Sequence, residues 1–268
     1  MNDHTRADGW QRGDAYERYM GRWSRQLAPR FLRWLDAPAG LRWLDVGCGT
    51  GALSAAIVES CAPACVIGAD PSAGFLASAG ERLGPRVALH RAPADALPLS
   101  AAAVDVAAAS LVLNFVPDAP AALREMVRVT AAGGCVAACV WDYARKMDLI
   151  RRYWDAAARL QLVAPGQHQG ERFALCHPDA LAAAFTAAGL MQVSVSAIEL
   201  PLVFADFDDY WLPFLGGQGP APAHAVGLSA AARDRLRDAI RAELPLQGDG
   251  RIVLGARALA ARGTVAGR

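Results

Sequence analysis

Lysine is nearly absent from this 268-residue chain: Lys146 stands alone among 27 cationic residues, the rest being arginine. The formal net charge is only +1 and the basic residues are scattered, so no field gathers nucleic acid. Metal-site spacing is also missing. Cys48, Cys61, Cys65, Cys135, Cys139 and Cys176 include two C-x3-C pairs but no C-x2-C pair and no clustered histidine, which predicts reduced thiols and no metal. The longest apolar stretch, near Ala101 to Val116, contains Asp105 and Asn114 and reads as a strand with its flanks, and Met1 to Gly9 holds no apolar signal-type run. No membrane and no nucleic-acid partner is expected, and the expected location is cytoplasmic. Nor does a repeat or low-complexity linker divide the chain. With 54% hydrophobic residues, residues 1–268 are expected to form a single domain, whose oligomeric state the sequence leaves open.

What is present is concentrated between Leu41 and Tyr143. Leu41-Arg42-Trp43-Leu44-Asp45-Val46 is an apolar strand with one acid near its end. It runs into Gly47-Cys48-Gly49-Thr50-Gly51, after which Ala52 to Val58 reads as a helix. Glycines let the backbone reach φ > 0 and approach a ligand, and the helix N-terminus adds a positive end at the same place. Gly47, Gly49 and Ala52 satisfy the permissive dinucleotide spacing G-x-G-x-x-G/A, with Asp70 ~20 residues on. A nicotinamide enzyme would need a second nucleotide half and a hydride-transfer acid. The chain has neither a second glycine-rich turn nor a Tyr-x-x-x-Lys pair.

Asp45, two residues before the first glycine, and the added Gly51 make D-x-G-x-G-x-G, which resembles the first motif of class I S-adenosylmethionine (SAM) dependent methyltransferases. Later stretches follow in that family's order. Cys65 to Asp70 reads as a second strand ending in an acid, followed by Pro71-Ser72; His90 to Pro98 resembles the third motif; Val104 to Asp118 is similar to the fourth; and Val129 to Ala137 matches "L-x-P-G-G", with Ala132 in place of proline. The chain thus resembles the type 11 methyltransferase-domain family. The resemblance implies an α/β, Rossmann-like, seven-stranded and mostly parallel sheet with helices on both faces and the last strand, Ile252 to Leu259, inserted antiparallel. It also implies SAM as cofactor and S-adenosylhomocysteine as product. The implied cofactor contacts are Asp45, Gly47, Cys48, Gly49 and Gly51 at the methionine end, Asp70 and Pro71 at the ribose, Ala94, Asp95 and Ala96 at the adenine, and Ser110 and Leu111 after the fourth strand. Tyr19 and Arg22 join them from the lead-in Y-x-x-Y-M-G-R-W-S. Any of these acids taken alone would more often be a helix cap or a solvated loop residue.

Three aromatic-rich segments, 1–30, 141–175 and 204–224, fall outside that scaffold and are expected as helical lids over the strand ends. Tyr16, Trp23, Asn114, Phe115, Trp141, Trp154, Phe173, Tyr210, Trp211 and Phe214 are expected to line a site for a small, largely apolar or aromatic methyl acceptor, although about half of such aromatics would simply pack the insertions. Methyl transfer is an in-line displacement that needs alignment more than covalent help, so a base is optional. His168, His177, Asp142 and Tyr143 are the available groups by position, whereas His4 and His224 fall on segments expected to be flexible. A protein of this fold that binds SAM without transferring the methyl, as an assisted cyclase or rearrangement enzyme, remains an alternative.

Overall fold

The computed structural model describes residues 16–267; His4 and the first half of the 1–30 segment lie outside the described residues. Its strands are β1 (Arg42–Val46), β2 (Cys65–Asp70), β3 (Ala88–Arg91), β4 (Val104–Ser110), β5 (Thr130–Trp141), β6 (Leu190–Phe204) and β7 (Ile252–Val265). They form one sheet in the order β3-β2-β1-β4-β5-β7-β6. The first five pair in parallel, and β7 lies antiparallel between β5 and β6. The inserted antiparallel strand is therefore as the family resemblance implies. β6 is longer than the alternation of Gln192 to Ile198 predicts, because its register against β7 continues through Phe204↔Ile252.

Helices follow the strands: α1 (Arg22–Leu35), α2 (Ala52–Ser60), α3 (Ala73–Leu83), α4 (Ala119–Val129), α5 (Asp148–Arg159), α6 (Gln169–Arg172), α7 (Pro178–Ala187), α8 (Phe207–Trp211), α9 (Pro220–Gly227) and α10 (Ala230–Glu243). Their ends obey local rules. Ser72, Asp118 and Ser229 each accept a backbone N–H three residues on and so start α3, α4 and α10. Pro120 and Pro178 sit in first turns, where a missing N–H costs nothing. α4 buries Ala122, Leu123, Met126 and Val129 along one stripe.

Alternation along the strands divides the apolar residues between two faces. Trp43 packs with α1, α2 and α5, while Leu44 and Val46 pack with α4 and α7. In the sheet centre Ala107, Ala108, Ala109, Ala137 and Ala138 are fully buried, small side chains that let helices come close on both sides. This arrangement brings the carboxyl ends of β1, β2, β4 and β5 to one edge, the place where open α/β sheets bind ligands. A five-residue π-helical turn, Glu17–Gly21, precedes α1. No helix among the described residues is long and apolar enough to cross a membrane.

Candidate active site

The loop after β1 is held from below. The N–H groups of Gly47 and Cys48 both donate to the Ala69 carbonyl of β2, at 2.7 and 3.0 Å. Gly47 has φ +68°, and a Cβ there would lie 2.4 Å from a Val112 methyl, so both conformation and space require glycine. Gly49 N–H donates to Asp70 Oδ2 at 3.0 Å, and Ser72 N–H donates to the other oxygen at 2.8 Å. Asp70 thus ties the glycine loop to the start of α3. Burial raises its pKa, with those two N–H groups acting in opposition.

Asp45 lies deeper, only 1% exposed. Its Oδ2 accepts from Ser54 Oγ at 2.7 Å, while Oδ1 is buried without a protein partner. Burial pushes the carboxyl up to about 7 against the lowering effect of Ser54. With Ser24, Gly47, Cys48, Thr50 and Ser110, Asp45 lines a small polar subsite. That subsite shares Tyr16, Gly47, Gly49 and Ser110 with a cleft of about 1020 Å³ that is open to solvent.

The cleft has two unlike ends. Toward β2 and β3 it is lined by Asp70, Pro71, Ser72, Phe75, Pro93, Ala94 and Asp95. Toward β4 and β5 it is lined by Leu111, Val112, Phe115, Val116, Pro117, Trp141 and Tyr143. Phe173 braces this wall, its ring 5.2 Å from Phe115 and 5.5 Å from Tyr143. Tyr16 and Met20 reach the cleft from the π turn, Tyr16 bonding Ser24 Oγ at 2.9 Å and resting 5.5 Å from the Phe75 ring. Between them Glu17 accepts from Thr50 Oγ1 and pairs with Arg25 and Arg82, fastening the turn to the glycine loop and to α3.

Residues 44–138, which carry β1 through most of β5 and thus both ends of the cleft, match the family model of a methyltransferase domain. That stretch of the chain is similar to a methyltransferase domain. Solved structures agree in fold. The YcgJ protein from Bacillus subtilis is 19% identical over 92% of this chain and 100% of its own, with a TM-score of 0.56. The [4+2]-cyclase SpnF is 18% identical over 91% of this chain and 81% of its own, with a TM-score of 0.56. A phosphoethanolamine N-methyltransferase from Haemonchus contortus, solved with S-adenosyl-L-methionine, is 16% identical over 94% of this chain and 56% of its own, at 0.56. No curated protein matches the sequence.

The cleft gathers Tyr16, Gly47, Gly49, Asp70, Pro71, Ala94, Asp95, Ser110, Leu111, Phe115, Trp141 and Tyr143 from the residues singled out in the sequence. Asp45 and Cys48 line the adjoining subsite. Others lie elsewhere, each for a visible reason. Gly51 caps α2 and faces Leu83, and Ala96 is exposed. Tyr19 packs edge-on to Phe214, and Trp23 to Phe204, in an aromatic cluster away from the cleft. Arg22 pairs with Asp209 at 2.7 Å and lies over the Trp23 and Phe204 rings. Tyr210 donates to the Leu149 carbonyl, Trp154 donates to Gln169, and Trp211 sits beside Phe207 and Phe214. Asn114 donates to Cys176 Sγ at 3.4 Å, and Phe173 stands behind the wall rather than in it.

Three of the four groups expected as bases do not line the cleft. His168 Nδ1 accepts from Gly170 N–H and caps α6, its Nε2 lying 3.7 Å from Asp155. His177 is exposed at the start of α7. Asp142 is buried with Arg257 and accepts from Arg145 N–H. Only Tyr143 of that set lines the cleft. His224 is also not a flexible-segment residue, since α9 holds it between Tyr153 Oη at 2.7 Å and the Leu162 carbonyl at 2.8 Å. The sequence reading missed Met20, Ser72, Phe75, Pro93, Val112, Val116 and Pro117, most of which directly follow or flank the motif residues it did single out. Among the described residues no His, Cys, Asp and Glu cluster could hold a metal.

Proposed function

We propose that this protein is a SAM-dependent methyltransferase for a small, largely apolar or aromatic acceptor. In this reading residues 1–268 form one domain, in which Tyr16, Met20, Trp141 and Tyr143 from the added segments reach the cleft and the aromatics of 204–224 pack in the core. The observation that carries it is the buried, unpartnered Asp45 Oδ1 beside the glycine loop. A buried carboxylate oxygen without a donor is costly, and the ammonium of a methionine group is a donor of matching charge. The other residues fit the same ligand: Gly47 and Gly49 for close backbone approach, Asp70 for ribose hydroxyls, and Asp95 with Ala94 for adenine.

Bound SAM supplies an electrophilic methyl on a sulfonium. The chain supplies position: Tyr16 and Met20 reach the cleft from the π turn, and Trp141, Phe115 and Tyr143 shape its far wall. Among the described residues no imidazole lines the cleft, so alignment carries most of the rate. Calorimetry with S-adenosylhomocysteine is expected to give a single site of micromolar or better affinity, and binding of NADH in its place overturns the reading. Incubation with SAM and a panel of phenols, quinones, amines and thiols is expected to release S-adenosylhomocysteine. Tight cofactor binding with no release by any acceptor would instead favour electrostatic use of the sulfonium without methyl transfer.

A further inference from the structure

The two ends of the cleft differ in charge as well as shape. Its two carboxylates, Asp70 and Asp95, belong to the β2–β3 end; the β4–β5 end has, among its described lining residues, no Asp, Glu, His, Lys or Arg. This composition discriminates between acceptors. An alkyl alcohol needs a base to remove its proton, and none is there. An amine would become a cation on methylation and would be left in an apolar wall without a counter-charge. A carboxylated or phosphorylated acceptor would find no cation of the protein to pair with its permanent charge. An acceptor that has already lost its proton is different: its negative charge meets the sulfonium, the cation at the reacting end of the site, and that charge disappears as the bond forms.

One donor stands ready at this wall. Trp141 lines the cleft, is 1% exposed, and its indole Nε1–H has no partner in the protein. Trp23 and Trp43 also hold unpartnered indole N–H groups, but of these three only Trp141 lines the cleft. An oxygen anion is the acceptor such a donor favours. Phe115 and Tyr143, braced by Phe173, offer ring faces and edges to a planar partner.

Resting on the SAM-dependent reading above, we infer that the acceptor is an acidic phenol or enolised aromatic that binds as its oxygen anion, with Trp141 Nε1–H donating to that oxygen. The proton leaves to solvent before binding. The oxygen's electron pair then forms the C–O bond to the methyl carbon while the C–S bond breaks, its pair returns to sulfur, and a neutral ether and a neutral thioether result. Trp141 is a catalytic residue in this scheme because it touches the reacting oxygen.

The test uses full-length protein and ring-substituted phenols of graded acidity. The pH dependence of kcat/KM is expected to inflect at a pH that moves with each phenol's own ionisation. An inflection fixed across the series points to a base on the enzyme and overturns the inference. Trp141→Phe keeps the ring and removes the donor; it is expected to lower kcat/KM roughly 10-fold or more with phenols while leaving S-adenosylhomocysteine affinity unchanged. Unchanged kcat/KM in a folded variant overturns it. A readout without turnover is the absorbance of bound 4-nitrophenol with sinefungin, whose amine carries the positive charge at the methyl position, against S-adenosylhomocysteine, which lacks it. The anion is expected to bind more tightly beside sinefungin, and equal binding in the two complexes counts against the scheme. If S-adenosylhomocysteine itself does not bind, the underlying functional reading fails. If it binds, yet only amines or alkyl alcohols are methylated, this inference alone fails; if it binds and nothing is methylated, the inference and the methyl-transfer reading fail together.

Discussion

Asp45→Asn separates the stability of the protein from its binding of cofactor. The Asp45 carboxyl, ordinarily near 3.8, is raised to about 7, chiefly by burial. A carboxyl whose folded pKa lies above its unfolded value lets the unfolded chain ionise first, so stability is lost as pH rises through that window. At about 1.4 kcal/mol per pH unit, the whole window corresponds to ~4 kcal/mol as an upper limit, of which ~2 kcal/mol falls between about pH 5 and pH 7. Asparagine keeps the shape and an oxygen for Ser54 Oγ but has no charge to bury. The unliganded variant is therefore expected to be more stable than the parent at about pH 8 and closer to it at pH 5, with a melting temperature several degrees higher at the upper pH. Cofactor binding should move the opposite way. Losing a charge-assisted contact of about 1.5–3 kcal/mol weakens S-adenosylhomocysteine by roughly 10- to 150-fold, and affinity of the parent should rise from pH 5.5 to 7.5 as Asp45 ionises. Paired calorimetry and thermal melts at three pH values read both effects. An asparagine variant less stable than the parent at pH 8, or one with unaltered affinity, refutes the reasoning.

Phe214→Ala removes a ring that stacks 4.7 Å from Tyr153 and meets Tyr19 edge-on, so chemical denaturation should show a loss of about 3–5 kcal/mol. Cofactor affinity of the folded fraction should hold, because Phe214 does not line the cleft; an affinity change with stability retained would contradict its placement. His168→Ala and His177→Ala, assayed with any accepted phenol, should change turnover by only a few-fold, and a thousandfold loss from either would restore obligatory base catalysis. Arg257→Met leaves the 2% exposed Asp142 side chain without its cation. Because Arg257 is a quarter exposed, the expected cost is about 2–4 kcal/mol by urea unfolding, and a neutral result would show that solvent replaces the arginine.

The β2–β3 end of the cleft was legible as a cluster because its residues are contiguous in sequence. Asp45 to Gly51, Asp70-Pro71 and Ala94-Asp95 are each held by bonds within a few residues or to the neighbouring strand, as in Gly49 N–H to Asp70 and Gly47 N–H to Ala69. The sheet was legible for a similar reason, since β1, β2 and β4 are short apolar runs whose order follows from their connections. The aromatic segments were not. Helical spacing tells which residues share a face but not what that face meets, and Trp154, Tyr210, Trp211 and Phe214 satisfy one another in the core instead of converging on a ligand. The histidines misled for another reason: a cap and an exposed loop residue have the same composition as a base, and only geometry distinguishes them. Tyr16, Tyr19 and Trp23 have α-helical spacing, yet the π turn directs Tyr16 to Phe75 and the other two to Phe214 and Phe204.

That turn makes chain length, more than residue identity, the quantity the site is sensitive to. A π turn holds one residue beyond an α-helical turn, so deleting the exposed Arg18 would let Glu17–Gly21 relax into ordinary helix. Everything before the deletion would then swing by about 100° around the helix axis and shift by about 1.5 Å along it. Tyr16 would leave the cleft and Glu17 would lose Thr50, although neither residue had been altered. The surplus residue acts as a phase setting, clocking one face of a helix to the cleft and the next to the aromatic core.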